Sequence, residues 1–288
     1  MGLMDGLEAL GLGGLGKIKI FEEEKEEKKP EPEKKADKTI QEEDILLEKQ
    51  FECSVCDRKF KQLTVRPNKV RPLGQDSILR PIYKDVEPIK YDVILCPFCG
   101  YAALSRYHGP LAKPHRQLIK DNISANFRQM PTECGSTLSY EDSFTRYKLA
   151  LLNSVVRQGK NSEKAFICLK TAWLIRSWKD AVREDSLEKK KFERDVAPQE
   201  REYLHNALEG FIKAMANEQP PYAGMNEMTL NYLIGALCVE LNENLTDGAR
   251  VLQEVITSTS TNATDRLKDK SRDLLIEIRN LMKKNKEQ

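Results

Sequence analysis

The clearest chemistry in this sequence belongs to four cysteines in two pairs, Cys53-Ser-Val-Cys56 and Cys96-Pro-Phe-Cys99. Two residues between the cysteines of a pair allow both thiolates to point at one ion. Gly100, directly after the second pair, suits a tight turn that needs a positive φ. Four thiolates complete a tetrahedral site that is closed to water, so the pattern predicts one structural Zn²⁺ and not a catalytic one.

The interval between the pairs is long. Positions 57–95 separate them by 39 residues, whereas a simple ribbon has about 15–20. The cost of closing a loop grows only logarithmically with its length, so an inserted hairpin is tolerable. We therefore predict a zinc-ribbon-like β unit that is stabilised largely by its metal. A redox dithiol and an iron site are the alternatives, although thioredoxin-type sites use a single CxxC at a βα turn.

The remaining cysteines and the nearby histidines carry weaker patterns. Cys168 and Cys238 lie in apolar helical runs, which predicts core packing. Cys134 stands alone in a loop and is interpreted as an incidental thiol. His108 and His115 follow the second cysteine pair without accompanying carboxylates. We expect packing or surface roles for both, and not a second metal site or a catalytic base.

The elements that position the cysteines are indicated by changes in composition along the chain. Residues 1–21 form an apolar, glycine-rich peptide, and residues 22–50 form a charged tract that is predicted to be a disordered linker. Residues 51–135 hold the cysteine pairs and short β-like runs, and are predicted to be the four-cysteine zinc-binding module. From residue 136 to residue 288 the hydrophobic period becomes helical.

The helical region shows recognisable helix boundaries. Ser139 and Asp142 resemble a capping box, and Ser162 is predicted to cap the next helix. Further helices are predicted at 198–217, 227–242, 247–258 and 264–284. Helix pairs of about 33 residues favour a tetratricopeptide-like stack, with an irregular helical bundle as the alternative. The predicted class is therefore α+β: a small β-rich zinc-ribbon-like module followed by a tetratricopeptide-like antiparallel helical domain.

The composition limits where the protein is expected to reside and whether it binds nucleic acid or membrane. The 288 residues carry a net charge of only +2, so no global field drives the protein onto nucleic acid or membrane. No run approaches the roughly 20 apolar residues that cross a bilayer. The N-terminal residues lack the features of a secretory signal. We therefore expect a cytoplasmic protein without membrane association, whose seven cysteines lie in a reducing compartment.

Motifs from both halves of the chain resemble a known family. "KYDVILCPFCGYAALSRY", "YKLALLNSVV" and "EKAFICLKTAWLIR" are similar to the bacterial family catalogued as domain of unknown function 2225. The resemblance covers residues 51–282 and implies a four-cysteine zinc module, with Cys53, Cys56, Cys96 and Cys99 as ligands, followed by tetratricopeptide-like helices. It implies no established activity. Ser54 departs from the pattern, because a proline frequently opens this cysteine turn in the family.

A non-catalytic adaptor is the first functional hypothesis, because helical stacks form extended surfaces that hold peptides or partner helices. The loop 217–226 is predicted to rim such a groove or simply to join two helices. The apolar peptide 1–21 is interpreted as a docking segment for a partner or for the protein's own surface. The sequence contains no GxxxxGKS, GxSxG or HExxH motif, so we expect no enzymatic activity.

Nucleic-acid binding through the basic segment 58–90 is the alternative. This segment has nine basic residues against three acidic ones. The basic residues are Arg58, Lys59, Lys61, Arg66, Lys69, Arg71, Arg80, Lys84 and Lys90. Phe60 and Tyr83 are predicted to offer stacking surfaces for bases.

Overall fold

A computed structural model describes residues 41–70, 72–84, 86–131, 135–184 and 186–287. Short antiparallel strands come first and a mostly helical part follows, which confirms the predicted α+β class. The predicted peptide 1–21, most of the predicted linker, Arg71 and Cys134 lie outside these residues.

Three antiparallel strand pairs make up the β part. The six strands are β1 (Leu46–Glu52), β2 (Lys59–Val65), β3 (Gly74–Gln75), β4 (Pro81–Ile82), β5 (Val93–Leu95) and β6 (Ala102–Leu104). In the first hairpin Leu46 pairs with Val65 and Glu52 pairs with Lys59. In the β5–β6 hairpin Val93 pairs with Leu104. Each of these two hairpins therefore ends at one of the cysteine pairs.

The first strand begins inside the range that was predicted to be a charged linker, 22–50. Residues 46–50 lie in β1, and Ile45 and Leu46 are buried. They pack together with Tyr91 in a small apolar cluster. A prediction from composition missed these two apolar residues, because many charged residues surround them. Their burial extends the folded region toward the N-terminus.

Eight α-helices follow among the described residues. They are α1 (Lys113–Ile119), α2 (Tyr140–Val156), α3 (Asn161–Ala181), α4 (Leu187–Asp195), α5 (Gln199–Asn217), α6 (Glu227–Leu241), α7 (Leu245–Thr257) and α8 (Asp265–Glu287). From α5 onward each helix contacts the next one in the chain, while α3 packs on both α2 and α5, and α6 also on α8. Contacts between near neighbours are typical of stacked helical hairpins. None of the helices in this part of the chain combines the length and the hydropathy needed to span a bilayer.

The helix caps agree with the sequence at one predicted position and differ at another. The Ser139 side chain accepts a hydrogen bond from the Asp142 N–H, as predicted for the start of α2. The prediction for Ser162 is wrong, since α3 begins two residues earlier than a cap at Ser162 implies, and Lys160 is its cap residue. The Ser162 hydroxyl instead donates to a Glu218 carboxylate oxygen at 2.5 Å. The carboxylate of Glu218, far away in the chain, thus binds the hydroxyl that was predicted to cap the helix.

The main apolar core lies among the helices and contains both tryptophans, Trp173 and Trp178. Cys168 and Cys238 are buried in it as predicted, and burial raises the pKa of each thiol to about 12. Such thiols remain protonated near neutral pH and serve as small apolar groups.

The core also includes side chains from the β part. Val93, Leu95 and Leu104 of the second cysteine hairpin belong to it, and so does Ile78 between β3 and β4. All the described residues fall in one compact unit, Ile40–Gln288. The predicted segments 51–135 and 136–288 therefore share one hydrophobic core.

Candidate metal centre

The four predicted cysteines come together at the turns of the two hairpins. Cys53 and Cys56 follow β1, and Cys96 and Cys99 join β5 to β6. The Sγ atom of Cys53 lies 3.5 Å from that of Cys99, and the Sγ atoms of Cys56 and Cys96 are 3.7 Å apart. All four sulfurs lie within 4.8 Å of one another. A tetrahedral ion with bonds of about 2.3 Å to sulfur places its ligands about 3.8 Å apart, so the four sulfurs fit around one such ion.

The two turns have the same backbone design. The Cys53 N–H donates to the Arg58 carbonyl at 3.0 Å, and the Cys96 N–H donates to the Tyr101 carbonyl at 2.8 Å. The residue after each second cysteine has a positive φ, which is 59° at Asp57 and 74° at Gly100. The expectation for Gly100 is thus confirmed. The sequence did not indicate the same conformation at Asp57, although aspartate tolerates it better than most residues.

The electrostatics of the cluster favour a bound cation. Hydrogen bonds from the thiols of Cys53 and Cys99 lower the pKa of Cys96 to about 4. The same close contacts raise the pKa of Cys99 above its ordinary value, because its thiolate would face other sulfurs. The Cys96 thiolate therefore forms more easily than the Cys99 thiolate, which a nearby positive ion would stabilise.

Burial makes the centre a closed one. Cys53 and Cys96 have no exposed surface, Cys99 is 6% exposed, and Cys56 is partly buried. Apolar residues of a second core cluster surround the cysteines, including the fully buried Tyr101 and Ile119. Four sulfur ligands and this apolar shell leave no coordination position open to a substrate.

Helix α1 supports the first cysteine turn from outside. The Arg116 Nε donates to the Val55 carbonyl at 2.9 Å, and its guanidinium also pairs with the Asp57 carboxylate. The Ser54 hydroxyl donates to the Gly109 carbonyl at 2.6 Å. These contacts fix both the backbone and the positive-φ residue of the turn. No local pattern indicates this role of Arg116, since 59 positions separate it from Asp57.

Gln62 joins the two cysteine hairpins. Its side-chain Nε2 donates to the Val93 carbonyl at 2.8 Å, and its Oε1 accepts from the Leu95 N–H at 3.0 Å. The side chain is only 3% exposed. The buried amide of Gln62 thus pairs with β5 as the backbone of a neighbouring strand would. This pairing fixes the spacing of the two cysteine turns.

Asn153 connects the second cysteine turn to the helical part. Its Nδ2 donates to the Gly100 carbonyl at 2.9 Å and to the Leu149 carbonyl, also at 2.9 Å. Asn153 is fully buried in α2. The backbone that follows Cys99 is thus bound directly to a helix of the main core.

The two predicted histidines lie apart from this centre's ligand set. The His108 ring packs against the rings of Phe51, Phe60 and Tyr101, and burial lowers its pKa. His115 is partly buried on α1. Within the described part of the chain, the four cysteines are the one group of at least three Cys, His, Asp or Glu side chains placed to share an ion.

The residues of the basic segment 58–90 differ in their exposure and in their ion pairs. Lys90 is 7% exposed and pairs with Glu42 at 2.7 Å, and Arg80 pairs with Asp180 at 3.0 Å. Phe60 is buried, so the prediction that it offers a stacking surface is wrong. Tyr83 is partly buried. Arg58 and Lys59 are exposed beside the first cysteine turn, where Arg58 lies 5.0 Å from the centroid of the Phe98 ring.

Comparison with known families gives one match. The family described as "Uncharacterized protein conserved in bacteria (DUF2225)" matches residues 46–278. This range includes all four cysteines, Arg116 and Asn153. No curated protein and no solved structure matches the chain.

Proposed function

Because the chain belongs to the DUF2225 family of uncharacterized bacterial proteins, whose description gives no activity, we propose a function from the metal centre and the helical surface. The protein is a non-catalytic adaptor in which Cys53, Cys56, Cys96 and Cys99 hold one structural Zn²⁺. The helical part binds a protein partner.

The arrangement of the four sulfurs carries the zinc assignment. They belong to two hairpin turns, lie within 4.8 Å of one another and are mostly buried. Soft thiolates in a tetrahedral set select zinc or iron among the common metals. Zinc has no redox chemistry and suits a centre that holds hairpins together without an open coordination position.

The adaptor assignment is supported by an apolar surface on α2. Leu152 is 47% exposed and Val155 is 54% exposed. They are three positions apart and so lie on one face of the helix. The opposite face of the same helix contains Asn153, which binds the cysteine turn. The metal centre would therefore hold in place the helix that presents the apolar pair to a partner.

Metal analysis of protein purified without chelator tests the zinc assignment. We expect one zinc per chain and no iron, since a closed four-thiolate site binds its ion tightly. Protein that contains iron, or that is folded without any metal, would contradict it.

Capture of partners by surface variants tests the adaptor assignment. A double variant, Leu152→Ser with Val155→Ser, removes the apolar pair. Leu187→Ser is the matched control, because Leu187 is 86% exposed on another helix. We expect a specific protein to be captured by the wild type and by the control but not by the double variant. Equal capture by all three proteins would contradict a binding role for this face of α2.

Nucleic-acid binding through the segment 58–90 is the second candidate, and the exposed pair Arg58 and Lys59 favours it. Binding of a fluorescent single-stranded oligonucleotide would weaken steeply as salt rises, because phosphate contacts release counterions. Affinity that is independent of salt, or unchanged in an Arg58→Gln, Lys59→Gln variant, would contradict this candidate.

A further inference from the structure

A second site lies away from the cysteines, in a cavity of about 490 Å³. The loop that follows β6, the turn that joins α2 to α3 and the loop that precedes α6 form its walls. The volume falls within the range of small-molecule sites, roughly 300–1,000 Å³. The residues that matter for its chemistry are Arg106, Tyr107, His115, Arg157, Lys160 and Gly224.

The carboxylates at this end of α3 already have partners. Glu163 pairs with Arg157, and both side chains are largely buried. Glu218 accepts hydrogen bonds from the Ser162 N–H at 3.2 Å and from the Ser162 hydroxyl at 2.5 Å. Arg157 therefore neutralises Glu163. Glu218 keeps its negative charge, because both Ser162 groups that donate to it are neutral, but it does not line the cavity.

Two cations of the cavity have no such partner. Neither Arg106 nor Lys160 makes an ion pair with any residue that the structure describes. Most other cations near the core do, such as Arg176 with Glu200 and Lys170 with Asp92. The cavity therefore has a local excess of positive charge, to which the partly buried His115 adds when it is protonated.

Arg106 is held in a defined position although it lacks a carboxylate. Its Nη1 donates to the Ala223 carbonyl at 2.5 Å, and its guanidinium lies 5.2 Å from the centroid of the Phe166 ring. Gly224 follows with a φ of 82°, and a Cβ atom there would lie 2.8 Å from the Arg106 Nη2. The positive φ favours glycine at this position, and a larger residue there would also displace the guanidinium. The loop before α6 thus fixes one side of the guanidinium and leaves its other donors for a ligand.

We propose that this cavity binds a small-molecule phosphate monoester. Arg106 and Lys160, which form no ion pair with the described residues, complement the negative charge of such a group, about −1.5 to −2 at pH 7. The guanidinium of Arg106 can donate two parallel hydrogen bonds to phosphate oxygens. The N-terminal end of α3, which starts directly after Lys160, adds partial positive charge. The ring of Tyr107 and the buried Ala223 offer apolar contact to the organic part of the ligand.

Nuclear magnetic resonance with phenyl phosphate as the probe tests this site. Gly159 and Gly224 line the cavity, and Gly235 lies in the buried part of α6. We expect the amide signals of Gly159 and Gly224 to shift with saturation while that of Gly235 does not. Phenol, which has the same ring without the charge, should give no saturable shift. Absence of shifts with millimolar phenyl phosphate, or equal shifts with phenol, would overturn the proposal.

Charge-removal variants locate the site independently. Arg106→Gln should weaken phenyl phosphate binding about tenfold or more, since it removes charge-assisted hydrogen bonds. Lys160→Gln should weaken it about threefold, because a flexible ammonium lacks the two parallel donors of a guanidinium. The Lys160 side chain makes no hydrogen bond or ion pair with the residues that the structure describes, so Lys160→Gln remains informative if Arg106→Gln fails to fold. Lys179→Gln, an exposed lysine at the far end of α3, is the matched control. Equal affinity in the Lys160 and Lys179 variants would overturn the assignment.

Discussion

The hydroxyl of Tyr232 in α6 donates a hydrogen bond of 2.9 Å to the carbonyl oxygen of Ser77, which lies 155 positions earlier between the two cysteine pairs. The next residue, Ile78, is completely buried in the main core. Asp76, on the other side, faces the Arg176 guanidinium at 3.6 Å. Residues 76–78, within the long interval between the cysteine pairs, therefore form an arm that contacts the helical part. It ties the two cysteine hairpins to helices far away in the chain.

Shortening Ile78 tests the role of this arm. Ile78→Ala should lower the free energy of unfolding by about 2–5 kcal/mol, because it leaves a cavity in a packed core. Ile82→Ala, on the neighbouring strand β4, should change it by about 0.5 kcal/mol or less, since Ile82 is 41% exposed. Urea denaturation followed by circular dichroism measures both. Similar losses in the two variants would mean that the arm is not anchored through Ile78.

Both the backbone conformation and the neighbouring Phe127 ring require a glycine at position 100. It has a φ of 74°, and a Cβ atom would lie 2.5 Å from the Phe127 ring. Gly100→Ala should therefore destabilise the fold by about 2 kcal/mol or more and weaken metal retention. Gly109→Ala is the control, because nothing lies within 4 Å of a Cβ atom there. Thermal unfolding and zinc content would be compared for both, and a Gly100→Ala protein as stable as the control would refute the expectation.

Loss of a metal ligand should differ from loss of a core thiol. Cys96→Ser removes one ligand, so we expect substoichiometric zinc and a lower melting temperature that chelator no longer reduces. Cys168→Ser changes a buried thiol of the main core and should retain one zinc per chain. Metal analysis and calorimetry with and without chelator distinguish the two. Retention of full zinc in Cys96→Ser would remove Cys96 from the ligand set.

Gln62 should contribute more to stability than an ordinary strand residue. Gln62→Leu leaves the Val93 carbonyl and the Leu95 N–H without partners, at a cost of about 1–3 kcal/mol for each buried group. Gln50→Leu, on the paired strand β1, is the control, because Gln50 is exposed. Equilibrium unfolding measures the difference. If Gln62→Leu proved no worse than Gln50→Leu, the bridge between the hairpins would have no energetic importance.

Asp92 gives the fold a predictable dependence on pH. Burial alone raises the pKa of its carboxyl, but the contacts with Lys170 and Ser105 outweigh burial and the net pKa is lowered from 3.8. The ionised form therefore stabilises the fold above the ordinary pKa of an aspartate, and this stabilisation is lost as pH falls through the lowered pKa. Asp92→Asn should cost about 1.5–3 kcal/mol at pH 7, and the difference from the wild type should shrink below pH 3.8.

Asp195 provides the comparison for that prediction. Its pKa is also lowered, by a hydrogen bond from Arg194, but the pair is exposed. Asp195→Asn should therefore leave the unfolding curve unchanged at every pH. Stability curves measured in urea from pH 3 to pH 7 would show whether the two variants separate; a constant difference for Asp92→Asn would contradict the linkage.

The cluster of four cysteines was predictable from the sequence because its signal is local. Two CxxC pairs and a following glycine specify turns whose conformation depends on a few adjacent residues. Ser139 and Asp142 are likewise three positions apart, and their cap was predicted correctly. Arg116, Gln62 and Asn153 act through side chains that reach distant backbone groups. No pattern within a window of the chain indicates such contacts.

Two features of the helical part likewise could not be predicted from local patterns in the sequence. Helix α4 was not predicted, since its nine residues include only one buried side chain, Phe192, and so have little apolar periodicity. Ser162 stands in a sequence that is typical of a cap, yet Glu218 binds it from 56 positions away. In both cases tertiary packing decides between local alternatives that the sequence leaves nearly equal.

The contact between Ser77 and Tyr232 also has a consequence for the growing chain. Both cysteine pairs leave the ribosome well before α6 has been made, so a metal ion can close the hairpins early. The Ser77 carbonyl, by contrast, waits for about 150 further residues, roughly 8–30 seconds of synthesis at 5–20 residues per second. A nascent chain would thus close its cysteine hairpins first, with apolar side chains such as Ile78 and Val93 still uncovered. During this interval a chaperone or a neighbouring nascent chain would meet them.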